Sequence, residues 1–128
     1  MAEILMKRIY DPKDESDGLR ILVDRLWPRG IKKEDAGIDY WYKELAPSAE
    51  LRKWFAHIPE RFEEFRLKYF IELTKDEMKS NRVDELVQIV LREKATLLYA
   101  AKNHSHNNAV VLKEELLRRI SLKQNPYK

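Results

Sequence analysis

The chain has 128 residues, a length that suits one domain, and 44% of them are hydrophobic, enough for a folded core. It contains no cysteine, which excludes disulfides, thiolate metal sites and a cysteine nucleophile. Charged residues reach 37%, with 25 Lys and Arg interleaved among 22 Asp and Glu for a net charge of +3; that mixing argues against the segregated basic stripe of a strong nucleic-acid binder.

Taken in order, Glu3 to Tyr10 is a short β-rich run that ends at Asp11-Pro12. Asp11 to Gly18 is a turn-forming, acidic surface loop. Leu19 to Asp24 reads as a second strand, apolar enough to be covered on both faces. The polar turn Asp24-Arg-Leu-Trp-Pro-Arg-Gly30 follows, and Lys32 to Gly37 fits a single helical turn. Asp39 to Ala46 is expected to be a short helix capped by Asp39 and ended before Pro47. Ser48 caps the next helix, through about His57, with Leu51, Trp54 and Phe55 inward. Pro59 opens a helix whose stripe is Phe62, Phe65, Tyr69, Phe70 and Leu73.

Lys75 to Asn81 reads as a charged loop or a frayed turn, and Arg82 to Glu93 as an amphipathic helix with Val83, Leu86, Val87 and Val90 inward. Thr96 to Ala101 is the most buried strand by pattern. Asn107 or Asn108 caps a last helix with Ala109, Val110, Leu112, Leu116, Leu117 and Ile120 facing in, and Gln124 to Lys128 is a frayed tail. This order predicts a single α/β domain over residues 1–128, with a small, mostly parallel central sheet and helices packed around it. The strands at 19–24 and 96–101 suit a parallel pair with a crossover between them, while those at 3–10 and 19–24, joined by a short loop, suit an antiparallel one. The N-terminus carries charge at once and has no long apolar stretch, and no run approaches the ~20 residues of a membrane span. A cytoplasmic protein with no membrane contact is the expectation; a homo-oligomer is left open.

A parallel pair puts the ends of both strands on one sheet edge, where open α/β sheets bind ligands. Arg25, Trp27 and Arg29 arrive there from the first turn, and Lys102, His104, His106 and Asn107 from the second. With the amide end of the last helix they predict a pocket for a small phosphate- or carboxylate-bearing ligand, in which arginine forks grip the anion and Trp27 stacks on a ring. His104 and His106 are the candidate acid or base, since imidazole titrates near neutral pH. They also raise a metal pair, but zinc wants a third protein ligand and His57 lies on a distant helix; no metal is assigned. Ser105 between them makes no triad, because adjacent side chains on an extended segment point apart. With only Gly18, Gly30 and Gly37, neither a Walker loop nor a dinucleotide fingerprint can be built, and no cofactor is assigned.

Two alternatives stand beside the anion pocket. Helices 48–57 and 59–74 invite a helix-turn-helix reading that would offer Arg61, Arg66 and Lys68 to DNA, but Glu60, Glu63, Glu64 and Glu72 would meet phosphates badly. Tyr40 and Tyr42 could instead dock a protein partner.

At Asp24-Arg-Leu-Trp-Pro-Arg-Gly-Ile31, Glu44-Leu-Ala-Pro-Ser48, Leu51-Arg-Lys-Trp-Phe55 and Thr96-Leu-Leu-Tyr-Ala-Ala-Lys102 the chain resembles the DUF488 family, in its short YeaO-like branch. The resemblance spans nearly the whole chain and implies one α/β domain and the same two loops, but no reaction. Some members carry a label linking them to MarR-type regulators. Longer relatives have a cysteine in the loop after the last strand; none stands here, so thiol chemistry does not carry over. An imidazole or amide is common in relatives where Asn108 stands.

Overall fold

A computed structural model of the protein describes residues 2–124. Strands β1 (Ile4–Arg8), β2 (Leu19–Leu22), β3 (Tyr40–Trp41) and β4 (Ala95–Tyr99) form one sheet in the order β1-β4-β2-β3, with every pairing parallel. Five helices accompany it: α1 (Lys33–Ala36), α2 (Ala49–Phe55), α3 (Phe62–Lys75), α4 (Glu77–Arg92) and α5 (Asn108–Gln124). The expected α/β class and parallel sheet are what the chain adopts. The expected tail lies, past Gln124, outside the described residues. Among the described residues no helix is long and apolar enough to cross a membrane.

β4 is buried at all five positions and is hydrogen-bonded on both sides. This overturns the antiparallel expectation for the first two strands. β1 and β2 do not touch; β4 lies between them, and both run parallel to it. A hairpin of β1 and β2 would leave so apolar a strand with one bare edge, whereas insertion gives it two ladders. Residues 9–18 must therefore carry the chain back across a sheet face. They are too few for the usual crossover helix, and instead make one 3₁₀ turn, Glu15–Asp17, closed by a reciprocal cap between Asp14 and Asp17. The turn ends at Gly18, whose φ of 65° suits glycine and where a Cβ would stand 2.3 Å from the Lys94 carbonyl oxygen.

Three further expectations are corrected. Asp39–Ala46 is not a helix. The Asp39 amide donates to the Arg20 carbonyl and its carboxylate accepts from the Arg20 amide, which draws the aromatic pair Tyr40-Trp41 into line as an edge strand; only Lys43–Leu45 forms a 3₁₀ turn. Residues 75–81 are not a loop. Asp76 accepts from the Lys79 amide at 3.0 Å and caps α4, which so begins at Glu77. Phe70 and Leu117, expected inward, are 37% and 43% exposed. Each stands one position past a buried neighbour, Tyr69 or Leu116, and so about 100° round the helix from it.

The two faces of the sheet are covered differently. Ile21, Val23, Leu97 and Tyr99 pack with the stripes of α2 to α5, including Phe55, Phe65, Tyr69, Leu86 and Leu112. On the other face Ile9, Leu22 and Leu98 are covered by Trp27, Ile31, Ile38 and Trp41 from the stretch that contains α1. That second face also holds a buried charge cluster. Asp17, 3% exposed, accepts from Lys7 Nζ at 2.7 Å and from the guanidinium of buried Arg20, which donates in turn to the carbonyls of Gly37 and Ala36. Thr96 Oγ1 donates to the Asp17 carbonyl at 2.7 Å. One carboxylate thus joins β1, β2 and β4 to the crossover.

Burial pushes the Asp17 carboxyl upward, but Lys7, the Asp14 amide and Arg20 outweigh it and hold it below the usual carboxylate range. Its stabilising effect is therefore fully present above the ordinary aspartate value and lost as pH falls through the lowered one. Asp17→Asn strands Arg20 as a buried charge and is expected to cost about 3–5 kcal/mol in urea unfolding at neutral pH. A cost under about 1 kcal/mol would show that the cluster is not what fixes the crossover.

Candidate functional site

The parallel β2–β4 pair brings both loops to one sheet edge. What joins them there is Asp24, the residue just past β2. Its carboxylate accepts from the Ala100 amide, just past β4, at 2.8 Å, and from the side-chain amide of Asn108, the first residue of α5, at 3.1 Å. Asn108 also donates to the Val23 carbonyl at 3.2 Å, and Trp41 Nε1 donates to the Asp24 carbonyl at 2.8 Å. Burial raises the Asp24 carboxyl above the usual range, although the Ala100 amide, Asn108 and the charges of His57 and Arg52 all pull it down. It forms no salt bridge among the described residues.

The helical side of this edge gathers cations. Ser48 caps α2, and its amide and hydroxyl both donate to Glu72 of α3, at 2.8 and 2.7 Å. One turn on, the amide of Arg52 bonds the Ser48 carbonyl, and the Arg52 Nε is buried with no hydrogen-bond partner. Lys79 of α4 donates to the Glu44 and Ala46 carbonyls, at 3.0 and 2.6 Å, and forms no ion pair among the described residues. Burial lowers its pKa; Glu72 and Asp76 oppose this, while the guanidiniums of Arg25 and Arg52 add to it. Tyr69 ties the group to the core, its fully buried hydroxyl donating to the Leu45 carbonyl and held well above the usual phenol range, by burial first and then by the charges of Glu72 and Asp24. At the end of α2, Ala56 and His57 both take left-handed φ values, 49° and 57°. Such non-glycine residues cost about 1–3 kcal/mol each and collect at functional sites. Here the strained turn sets exposed His57 close enough for its charge to act on Asp24.

Of the residues singled out in the sequence, Arg25 joins this group. Arg29 and Lys102 are exposed on the same edge and have no ion pair among the described residues; the Arg29 carbonyl accepts from Tyr10 at 2.9 Å. Trp27 turns to the second face, where its ring meets Trp41 edge-on at 5.4 Å and its N–H is spent on the Ile31 carbonyl. Asn107 is the cap of α5: it is 1% exposed, accepts from the Val110 amide and donates to the Asn103 carbonyl. His104 shares a hydrogen bond of 3.1 Å with the Tyr99 hydroxyl. His106 packs edge-on against Phe62 at 4.8 Å, on the helical side, and is held to Asn103. Among the described residues no hydrogen bond joins Arg29 to His106, and no three or more His, Asp or Glu side chains are grouped to hold a metal ion. Of the DNA-reading candidates, Arg66 pairs with Glu114 and Lys68 with Glu64, while Arg61 donates to the Trp54 carbonyl. Tyr40 and Tyr42 have rings 6.2 Å apart, Tyr40 being 42% exposed.

Sequence reasoning missed Asp24, Arg52, His57, Lys79 and Asn108 as site residues. Asp24 reads as the last residue of a strand, Arg52 as a helix charge and Lys79 as part of a charged loop. Only the unbroken apolar run that ends in Asp24 marked the first of them.

The raised Asp24 carboxyl gives a signed prediction. The folded chain holds this proton more tightly than the unfolded one, so the contribution of Asp24 to stability falls as pH rises between the ordinary aspartate value and the raised one. In thermal melts across this range, the difference between Asp24→Asn and the parent is expected to move in the variant's favour as pH rises to 7. A difference that ignores pH, or moves the other way, would contradict the raised pKa.

Residues 3–127 match the family description "Inactive DUF488-N3 subclade". The chain is 50% identical over 113 residues to the uncharacterized protein YeaO of Escherichia coli (strain K12), a stretch covering 88% of this chain and 96% of YeaO. It is 40% identical over 115 residues to the uncharacterized proteins Mb3100c of Mycobacterium bovis and Rv3073c of Mycobacterium tuberculosis, covering 90% of this chain and 94% of each relative. No solved structure matches the chain. A family match over residues 3–127, with relatives 40–50% identical over nearly the whole chain, means that the chain belongs to the DUF488 family.

Proposed function

We propose that the protein binds a small anion at the carboxyl edge of its sheet, against Arg25, Arg52 and Lys79, with Arg29 and Lys102 as outlying cations on the same edge. The observation that carries this reading is the buried, partnerless Nε of Arg52; Arg66 has a like Nε, but its guanidinium is paired with Glu114, whereas that of Arg52 has no ion pair among the described residues. A buried donor without an acceptor costs about 1–3 kcal/mol, more when charged. The chain has carboxylates to spare and binds Arg20, Arg66, Arg82, Arg118 and Arg119 with them. Leaving Arg52 unpaired beside Arg25 and Lys79 makes sense if an anion supplies the acceptor, since a guanidinium fork suits phosphate or carboxylate.

Binding without turnover is the form the reading takes. His104 and His106 are engaged with Tyr99 and Asn103, and the family description carries the word "Inactive". A membrane role has no support in the helices, and a cytoplasmic location remains part of the proposal.

Sulfate is the probe, because it does not titrate near neutral pH. At a hundred times its dissociation constant it is expected to stabilise the parent by about 2.7 kcal/mol. Arg52→Met keeps the aliphatic stem and makes no new charge; it is expected to melt near the parent without sulfate and to lose most of the sulfate effect. Lys53→Gln, on the exposed side of the same helix, is expected to keep it. If Arg52→Met melts far below the parent and still responds fully to sulfate, Arg52 is structural and the anion lies elsewhere.

A further inference from the structure

A site meant for a bare anion has no use for a partly buried carboxylate among its cations. Asp24 is such a group: the charges of Arg52 and His57 reach it, and it forms no ion pair among the described residues. A carboxylate offers roughly four lone-pair directions. The Ala100 amide takes one on Oδ2 and the Asn108 amide one on Oδ1, so each oxygen keeps room for a further donor. The second carboxylate nearby, Glu72, has both oxygens held by Ser48 at the head of α2. That leaves Asp24 as the carboxylate of this group with lone pairs to offer, while Glu72 still acts by charge on Lys79. Two guanidinium forks and an ammonium together suit the several oxygens of a phosphate.

Resting on the anion site proposed above, we infer that the ligand is a phosphate monoester with a hydroxyl close to its phosphate, as in a small phosphorylated polyol. Arg25, Arg52 and Lys79 hold the phosphate, and the hydroxyl donates to Asp24. The carboxylate then selects against anions that bring no donor, because these leave it facing their own negative charge without a hydrogen bond in return.

Titration calorimetry with glycerol 3-phosphate and methyl phosphate tests this, since the two carry the same phosphate and differ in the hydroxyls. The parent is expected to bind glycerol 3-phosphate about tenfold more tightly, the size of one charge-assisted hydrogen bond over its loss. In Asp24→Asn the preference is expected to shrink to about twofold, with methyl phosphate gaining affinity as the opposing charge goes. Equal affinities in the parent would overturn the inference and leave the anion site standing. Failure of both compounds to bind at millimolar concentration would overturn both readings. The comparison in the parent decides the matter even if Asp24→Asn does not fold.

Discussion

The carboxylate of Asp24 is the point at which the sheet edge, the helical layer and the two loops are held together. It sits where β2 ends, takes the first free amide after β4, and is clasped by the first side chain of α5. Trp41 at the end of β3 donates to the carbonyl of the same residue. Three of the four strands and the last helix are therefore tied through one residue. Its raised pKa marks this as a tie held against desolvation rather than one chosen for stability alone. The contrast with Asp17 is instructive. Asp17 is buried and Asp24 partly so, but Asp17 has two cations bonded to it, which hold its pKa low, while Asp24 has amides and its pKa is raised. The first arrangement is what a structural carboxylate looks like; the second leaves the charge available to something else.

The topology explains why the cations meet. β4 is the strand that most needs two neighbours, and its insertion between β1 and β2 forces the chain across one face without a helix. Four helices are then free to pack on the other face. Their starts and ends bring Ser48, Arg52 and His57 from α2, Glu72 from α3 and Lys79 from α4 towards the end of β2. Among the described residues Arg52 and Lys79 form no direct ion pair there, in a chain that pairs its charges freely elsewhere.

Much of this was legible in the residues. The parallel pairing of β2 with β4, the inward stripe of α4, the Ser48 cap and the sharing of one edge by the two loops all follow from apolar runs and capping residues. What failed had physical reasons. Tyr40-Trp41 is drawn into the sheet by the backbone of Arg20, a partner far off in sequence, and no local pattern announces it. The insertion of β4 is likewise non-local. Asp76 is the kind of residue that caps a helix, and the charged run after it hid that role. Trp27 reads equally well as a stacking ring or as a plug; its N–H bond to Ile31 and its contact with Trp41 place it beneath the turn. For the site, sequence favours residues in conspicuous loops, such as Arg29 and His106, over helix charges whose meaning depends on which end of the helix faces the sheet.

The central claim is that an anion meets the orphan donor of Arg52, and the arginine Nε–H resonances in nuclear magnetic resonance report on it directly. Phosphate titrated into ¹⁵N-labelled protein should move the Arg52 resonance, with Arg25, along one saturable curve, while those of Arg20 and Arg119, already bonded within the protein, stay in place. An Arg52 resonance that does not move while phosphate shifts other arginines, or shifts none, would contradict the account.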